Sequence, residues 1–171
     1  MLAFVFPLQL VAAIFGFLGR DVVAGTGMGL LSGTWLAIAL VTLTAPAPGA
    51  TSDALGLFLL LAGAAMLIPF AAAAMSKAVA AAVLGTTAVR FALTGMHQLT
   101  AGSGWKAAAG IVGLVLLAVA LYAALALALE DARGASVLPV GRRGDGADAL
   151  GDGLDAQLRG IEHAAGVRRQ L

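Results

Sequence analysis

Arg90 is the residue in this chain whose type and position most plainly invite chemistry. It stands in AAAVLGTTAVRFALTGM, an otherwise alanine-, valine- and leucine-rich stretch. If that stretch is a helix starting after Lys77, Arg90 lies ~20 Å along it at ~1.5 Å per residue. Thr86 and Thr94 fall one turn to either side and Thr87 three residues before, so the four form a polar stripe on one face. A fixed cation at that depth costs ~2.5–3.5 kcal/mol or more in lipid, and such residues usually face a bundle interior or water. One reading makes Arg90 the lining of a wet path that attracts an anion such as a small carboxylate. The other lets its side chain snorkel past Thr94 to the headgroups.

Little else in the chain could do chemistry. There is no cysteine, which excludes disulfides, thiol catalysis and thiolate metal sites. The two histidines, His97 and His163, are far apart and too few for most metal or acid–base constellations. No nucleophile–base pair stands at a helix end, so we expect no enzyme, no catalytic residue, no metal and no cofactor. A net charge of +1 suggests no nucleic-acid partner.

The elements that must position Arg90 are long apolar runs. They cover residues 2–18, 22–44, 54–74, 78–96 and 107–129, each near the ~20 residues that cross a ~30 Å hydrocarbon layer as a helix. Hydrophobic residues make up 61% of the 171 and mean hydropathy is +0.99, while charged residues are 11%, against about 25% in a soluble domain. The expectation is an all-α polytopic bundle of five transmembrane helices over residues 1–130, in the lipid bilayer, with a polar tail over 131–171. The first run has no positive leader and carries Pro7, so it reads as a tilted or kinked span, or the second half of a longer hydrophobic region, rather than a signal peptide.

Lysine and arginine set the orientation. One side receives Arg20, Lys77, Arg133, Arg142 and Arg143, whereas the loops over 45–53 and 97–106 offer only Lys106. This predicts a cytoplasmic C-terminus in the plasma membrane and an extracytoplasmic Met1. For packing, Gly25, Gly29 and Gly33 recur every four residues and predict a close helix contact. Gln9, Thr34, Thr42 and Tyr122 are the remaining polar groups within the runs, expected mostly as interhelical hydrogen bonds. Asp53 and Ser103 are candidate helix caps. In the tail, residues 144–153 read as an acidic, glycine-rich linker and 152–170 as a short amphipathic helix.

The segment YAALALALEDARGASVLPVG, residues 122–141, resembles the C-terminal end of the acetate uptake transporter family, to which succinate–acetate permeases belong. Tyr122, Ala124, Ala126, Glu130, Gly134, Leu138, Pro139 and Gly141 fit without a gap. SKAVAAAVLGTTAVRFALTG, residues 76–95, is similar to the family's N-R-A-L helix through Ser76, Lys77 and Ala78. Residues 25–35 look like the start of its third helix, with Trp35 at a characteristic tryptophan.

The resemblance implies a homo-oligomer, a hexamer, with a path for acetate and succinate through each subunit, either passive or proton-coupled. It places Leu31 where members usually carry a pore-narrowing aromatic residue and Tyr122 at a family tyrosine, so both join the expected pathway. Departures are Leu127 at a frequently acidic position, Arg90 at an apolar or aromatic one, and the missing first helix with its N-P-A-P-L-G-L signature. Residues 45–49, APAPG, mimic that signature without its asparagine. One more N-terminal helix would also bring both termini inside. The expectation is therefore a six-helix bundle minus its first helix. It is either a carboxylate transporter whose start lies upstream or a truncated, non-transporting scaffold.

Overall fold

A computed structural model describes residues 2–143. The expected linker at 144–153 and amphipathic helix at 152–170 lie outside the described residues. Five α-helices follow one another: α1 Val5–Leu18, α2 Val22–Thr44, α3 Asp53–Ser76, α4 Ala78–Thr100 and α5 Ser103–Arg133. A helix satisfies every backbone group within its own segment, which is what an apolar run in lipid demands. Four of them, of 23, 24, 23 and 31 residues, are long and apolar enough to cross a membrane. At 14 residues α1 is shorter, ~21 Å by rise per residue. The chain is an all-α, multi-pass helical bundle.

Its exterior supports the membrane assignment. Helix α5 buries only Ala109, Ala126 and Glu130, and exposes Ile111, Leu114, Leu117, Leu121 and Leu125. An apolar face of that extent suits lipid and not water. The core is small by comparison: Leu31 from α2, Leu55, Leu59 and Met66 from α3, and Leu84, Ala88 and Phe91 from α4.

Glycines bring the helices together, Gly25 of the expected stripe among them. Helices α3 and α4 meet where Gly56 faces Gly95, so close that a Cβ on Gly95 would come within 2.8 Å of the Gly56 carbonyl. Helices α1 and α2 meet at Gly16, whose Cβ would stand 2.6 Å from the Gly25 nitrogen. Of the predicted stripe, Gly25 takes the Phe17 ring, Gly29 only approaches Ala13 at 3.8 Å, and Gly33 has nothing within 4 Å. The stripe is thus half used, because Gly29 and Gly33 face the groove between α2 and α3.

Caps also fall one residue earlier than expected. Ser52, not Asp53, caps α3 by accepting from the Leu55 amide at 3.3 Å, with Asp53 as the first helical residue. Gly102, not Ser103, precedes α5, without a side-chain cap. Asp21 caps α2 through the Ala24 amide at 3.0 Å. Thr34 and Thr42 bond their own helix, at the Leu30 and Ile38 carbonyls, rather than a neighbour. Ser32 does join helices: its hydroxyl donates to the Phe6 carbonyl at 3.0 Å.

The two ends of the bundle sort as the charges predict. The α1–α2 turn, the α3–α4 junction and the segment after α5 meet at one end through Asp21–Lys77 and the Lys77–Arg142 backbone pairing. At the other end, the Ser52 amide donates to Gln98 Oε1 at 2.8 Å and ties the α2–α3 loop to α4.

Candidate functional site

Every helix contributes to one cleft of about 390 Å³. Gln9 comes from α1, Leu31, Trp35 and Ile38 from α2, and Leu59 from α3. Thr87, Arg90, Phe91 and Thr94 come from α4, and Leu116 and Ala120 from α5. The volume lies in the range of small-molecule sites, and its makeup is the usual one, an apolar wall with a few polar groups.

Arg90 reaches this cleft sideways. Helices α4 and α5 are joined by the two-residue turn Ala101–Gly102, so positions equally far from that turn are level with each other. Gly113 is the position level with Arg90, and a Cβ there would stand 3.1 Å from the Arg90 Cζ. The guanidinium therefore crosses to α5 at its own depth and does not run along α4 past Thr94. The absence of a side chain at 113 leaves it that space, and a Cβ there would press on the guanidinium. Among the described residues, no carboxylate pairs with Arg90.

The polar stripe splits. Viewed along α4 at about 100° per residue, Thr87 and Thr94 fall on the cleft side of Arg90 and Thr86 on the other. Thr87 donates to the Val83 carbonyl and Thr94 to the Arg90 carbonyl, both at 2.8 Å. Their hydrogens are thus spent on the helix, and their oxygens keep lone pairs. Thr86 bonds Ala82 in the same way but does not line the cleft. Gln9, expected to bond across helices, has a buried Oε1 with no partner among the described residues.

Tyr122 is also away from the cleft. Its hydroxyl donates to the Pro139 carbonyl at 2.8 Å, anchoring residues 134–143 as a strap beneath the bundle. That strap holds the expected family motif. Gly134 ends α5 at φ +62°, and Gly141 turns the chain at φ +66° where a Cβ would meet Ala78 Cβ at 2.5 Å. A side chain there would be strained and would collide, so the position needs glycine. The strap then pairs with the start of α4. The Ala78 amide donates to Gly141 at 3.1 Å, Val79 to Val140 at 3.3 Å, and the Arg143 amide to Ser76 at 2.9 Å.

Two ion pairs lock this end. Lys77 pairs with Asp21, and Arg142 pairs with the buried Glu130, whose second oxygen has no partner among the described residues. Partial burial pushes the Asp21 carboxyl up. The Lys77 hydrogen bond, the Ala24 amide, the Lys77 charge and the Val23 amide outweigh it and hold the group below its ordinary value.

Of the residues expected along the path, Arg90, Leu31, Thr87 and Thr94 line the cleft, and Thr86 and Tyr122 lie outside it. Trp35, expected only as a family marker, and Gln9, expected only as a packing contact, also line the cleft. Arginine in the cleft can take a carboxylate through paired N–H donors, a geometry lysine lacks. No known family model matches the chain, and no curated protein matches it either.

Proposed function

We propose that this chain is a carrier or channel subunit for small carboxylates, acetate first and succinate as a larger candidate, as in the acetate uptake transporter family it resembles. The observation that supports the reading is the Arg90 guanidinium, without a carboxylate partner among the described residues, in a cleft to which all five helices contribute. A bare carboxylate entering an apolar path loses its hydration at great cost. A fixed cation at the same depth offsets part of that cost and gains a partner for itself. The excess of Arg20, Lys77, Arg133, Arg142 and Arg143 at the strap end favours a cytoplasmic C-terminus in the plasma membrane.

The test is uptake of radiolabelled acetate into proteoliposomes carrying wild-type protein or Arg90→Leu. Loss of uptake in the variant, at equal incorporation, is the expected result. Unchanged uptake refutes the role of Arg90.

A second reading, a non-transporting subunit that only assembles, is favoured by a different feature. An apolar groove of about 640 Å³ runs between α2 and α3, walled by Gly29, Gly33, Leu36, Leu40, Phe58 and Leu61. Self-association in detergent together with impermeability of the wild-type vesicles to every acid tested selects that reading.

A further inference from the structure

We propose that the cleft selects acids carrying two features on one short skeleton: a carboxylate for Arg90 and an O–H donor for Gln9. The inference rests on the reading of the cleft as a carboxylate path and names which carboxylates it favours.

It follows from counting donors against acceptors. Arg90 brings only donors, and a carboxylate satisfies them. Acceptors stand open elsewhere in the cleft. Gln9 Oε1 is buried and unpartnered, and Thr87 and Thr94 have committed their hydrogens to the Val83 and Arg90 carbonyls, leaving oxygens that only accept. A buried acceptor left without a donor is costly, so a ligand that brings one is favoured over an isostere that does not. Acetate and propionate bring none. A 2-hydroxy monocarboxylate does, and so does a dicarboxylate in its singly protonated form, whose carboxyl O–H serves the same acceptor. An α-ammonium would also donate, but a zwitterion leaves the Arg90 charge uncompensated, whereas either monoanion neutralises it. Trp35 and Phe91 supply the apolar wall for the short carbon skeleton.

Propionate and 2-hydroxypropionate differ by the one hydroxyl and form the decisive pair. Their competition against radiolabelled acetate in wild-type proteoliposomes should favour the hydroxy acid about five- to tenfold, the worth of one hydrogen bond to an otherwise unpaired buried acceptor. In Gln9→Leu that ratio should fall to about one, in protein that elutes as wild type on gel filtration. In Thr86→Val, outside the cleft, it should persist. Succinate uptake at equal pH on both sides should rise with the singly protonated fraction, while 2-hydroxypropionate, lacking a second carboxyl, should show no such rise.

Equal competition by the two C3 acids in wild-type vesicles overturns the inference and leaves the carboxylate path standing. That comparison needs no variant. Exclusion of every acid overturns both. Preference for alanine over 2-hydroxypropionate overturns the O–H assignment in favour of an ammonium. Succinate uptake indifferent to pH removes the dicarboxylate from the favoured class.

Discussion

Arg142→Gln should unfold this protein far more easily than its place near the end of the described chain suggests. Glu130 is only 5% exposed, and Arg142 is the one partner of its carboxylate among the described residues, through a single oxygen. Removing the guanidinium leaves a buried carboxylate with neither oxygen paired. Breaking a buried pair in this one-sided way costs about 3–5 kcal/mol. The Arg142 side chain is 24% exposed, so water can reach the gap, which favours the lower end, about 3 kcal/mol, or more than a hundredfold in the unfolding equilibrium. Glu130→Gln should cost less, since it removes the buried charge and frees an arginine that can turn toward water. The double variant Glu130→Gln/Arg142→Gln should regain about 2 kcal/mol over Arg142→Gln alone, because no uncompensated charge remains. The assay is denaturant unfolding in detergent micelles, followed by helical circular dichroism. Hydrogen exchange at the Ala78 and Val79 amides reports on the strap in parallel, since their acceptors lie in it. An Arg142→Gln protein within 0.5 kcal/mol of wild type, or a double variant no more stable than the single, would refute the reasoning.

Four further outcomes follow from the same structure. The Asp21 carboxyl is held below its ordinary value of 3.8 in the folded chain, so its contribution is full above the unfolded value and lost as pH falls through the folded one. Stability should therefore drop below about pH 4, and Asp21→Asn should weaken that acid limb in a thermal-unfolding series across pH. Gly113→Leu should displace the Arg90 guanidinium and reduce acetate uptake in vesicles, whereas Gly110→Ala, with nothing within 4 Å of its Cβ, should leave uptake unchanged. The same Gly110→Ala should stabilise α5 by about 0.5–1 kcal/mol in denaturant unfolding. Met66→Ala opens a void at a fully buried position; it should cost about 2 kcal/mol in the same assay, the low end for such truncations, because lipid reduces the water-transfer part.

The four long helices were legible in residues alone, and the reason is length. A run of apolar residues long enough to span a bilayer has one way to satisfy its backbone, so composition and run length suffice without any knowledge of neighbours. The grouping of loops at two ends followed from the alternation of spans, and the Asp21–Lys77 pair and the strap agree with it. Arg90 was visible for the same reason, since a charge in an apolar run has no local explanation. Helix ends were less legible: α4 runs on to Thr100 and α5 begins at Ser103, because polar residues such as His97 and Lys106 are accommodated within helix where a run of apolar residues has already stopped.

The surroundings of Arg90 belong to the third dimension. Spacing places Thr86, Thr87 and Thr94 together on α4, but which side of Arg90 faces inward depends on the rotation of α4 about its axis. Packing against α3 through Gly56, Gly63 and Gly95 sets that rotation. Gln9, Trp35 and Gly113 lie on three other helices, and no periodicity within any one of them signals a meeting with Arg90. Tyr122 shows the converse: a polar group inside a span, legible as a candidate for the path, is drawn away by the Pro139 carbonyl of a strap that folds back from beyond the helix. An apolar run carries in its own residues the need to become a helix. The choice of which polar groups share a cleft rests on contacts between helices, and those depend on the close approach of particular glycines in space.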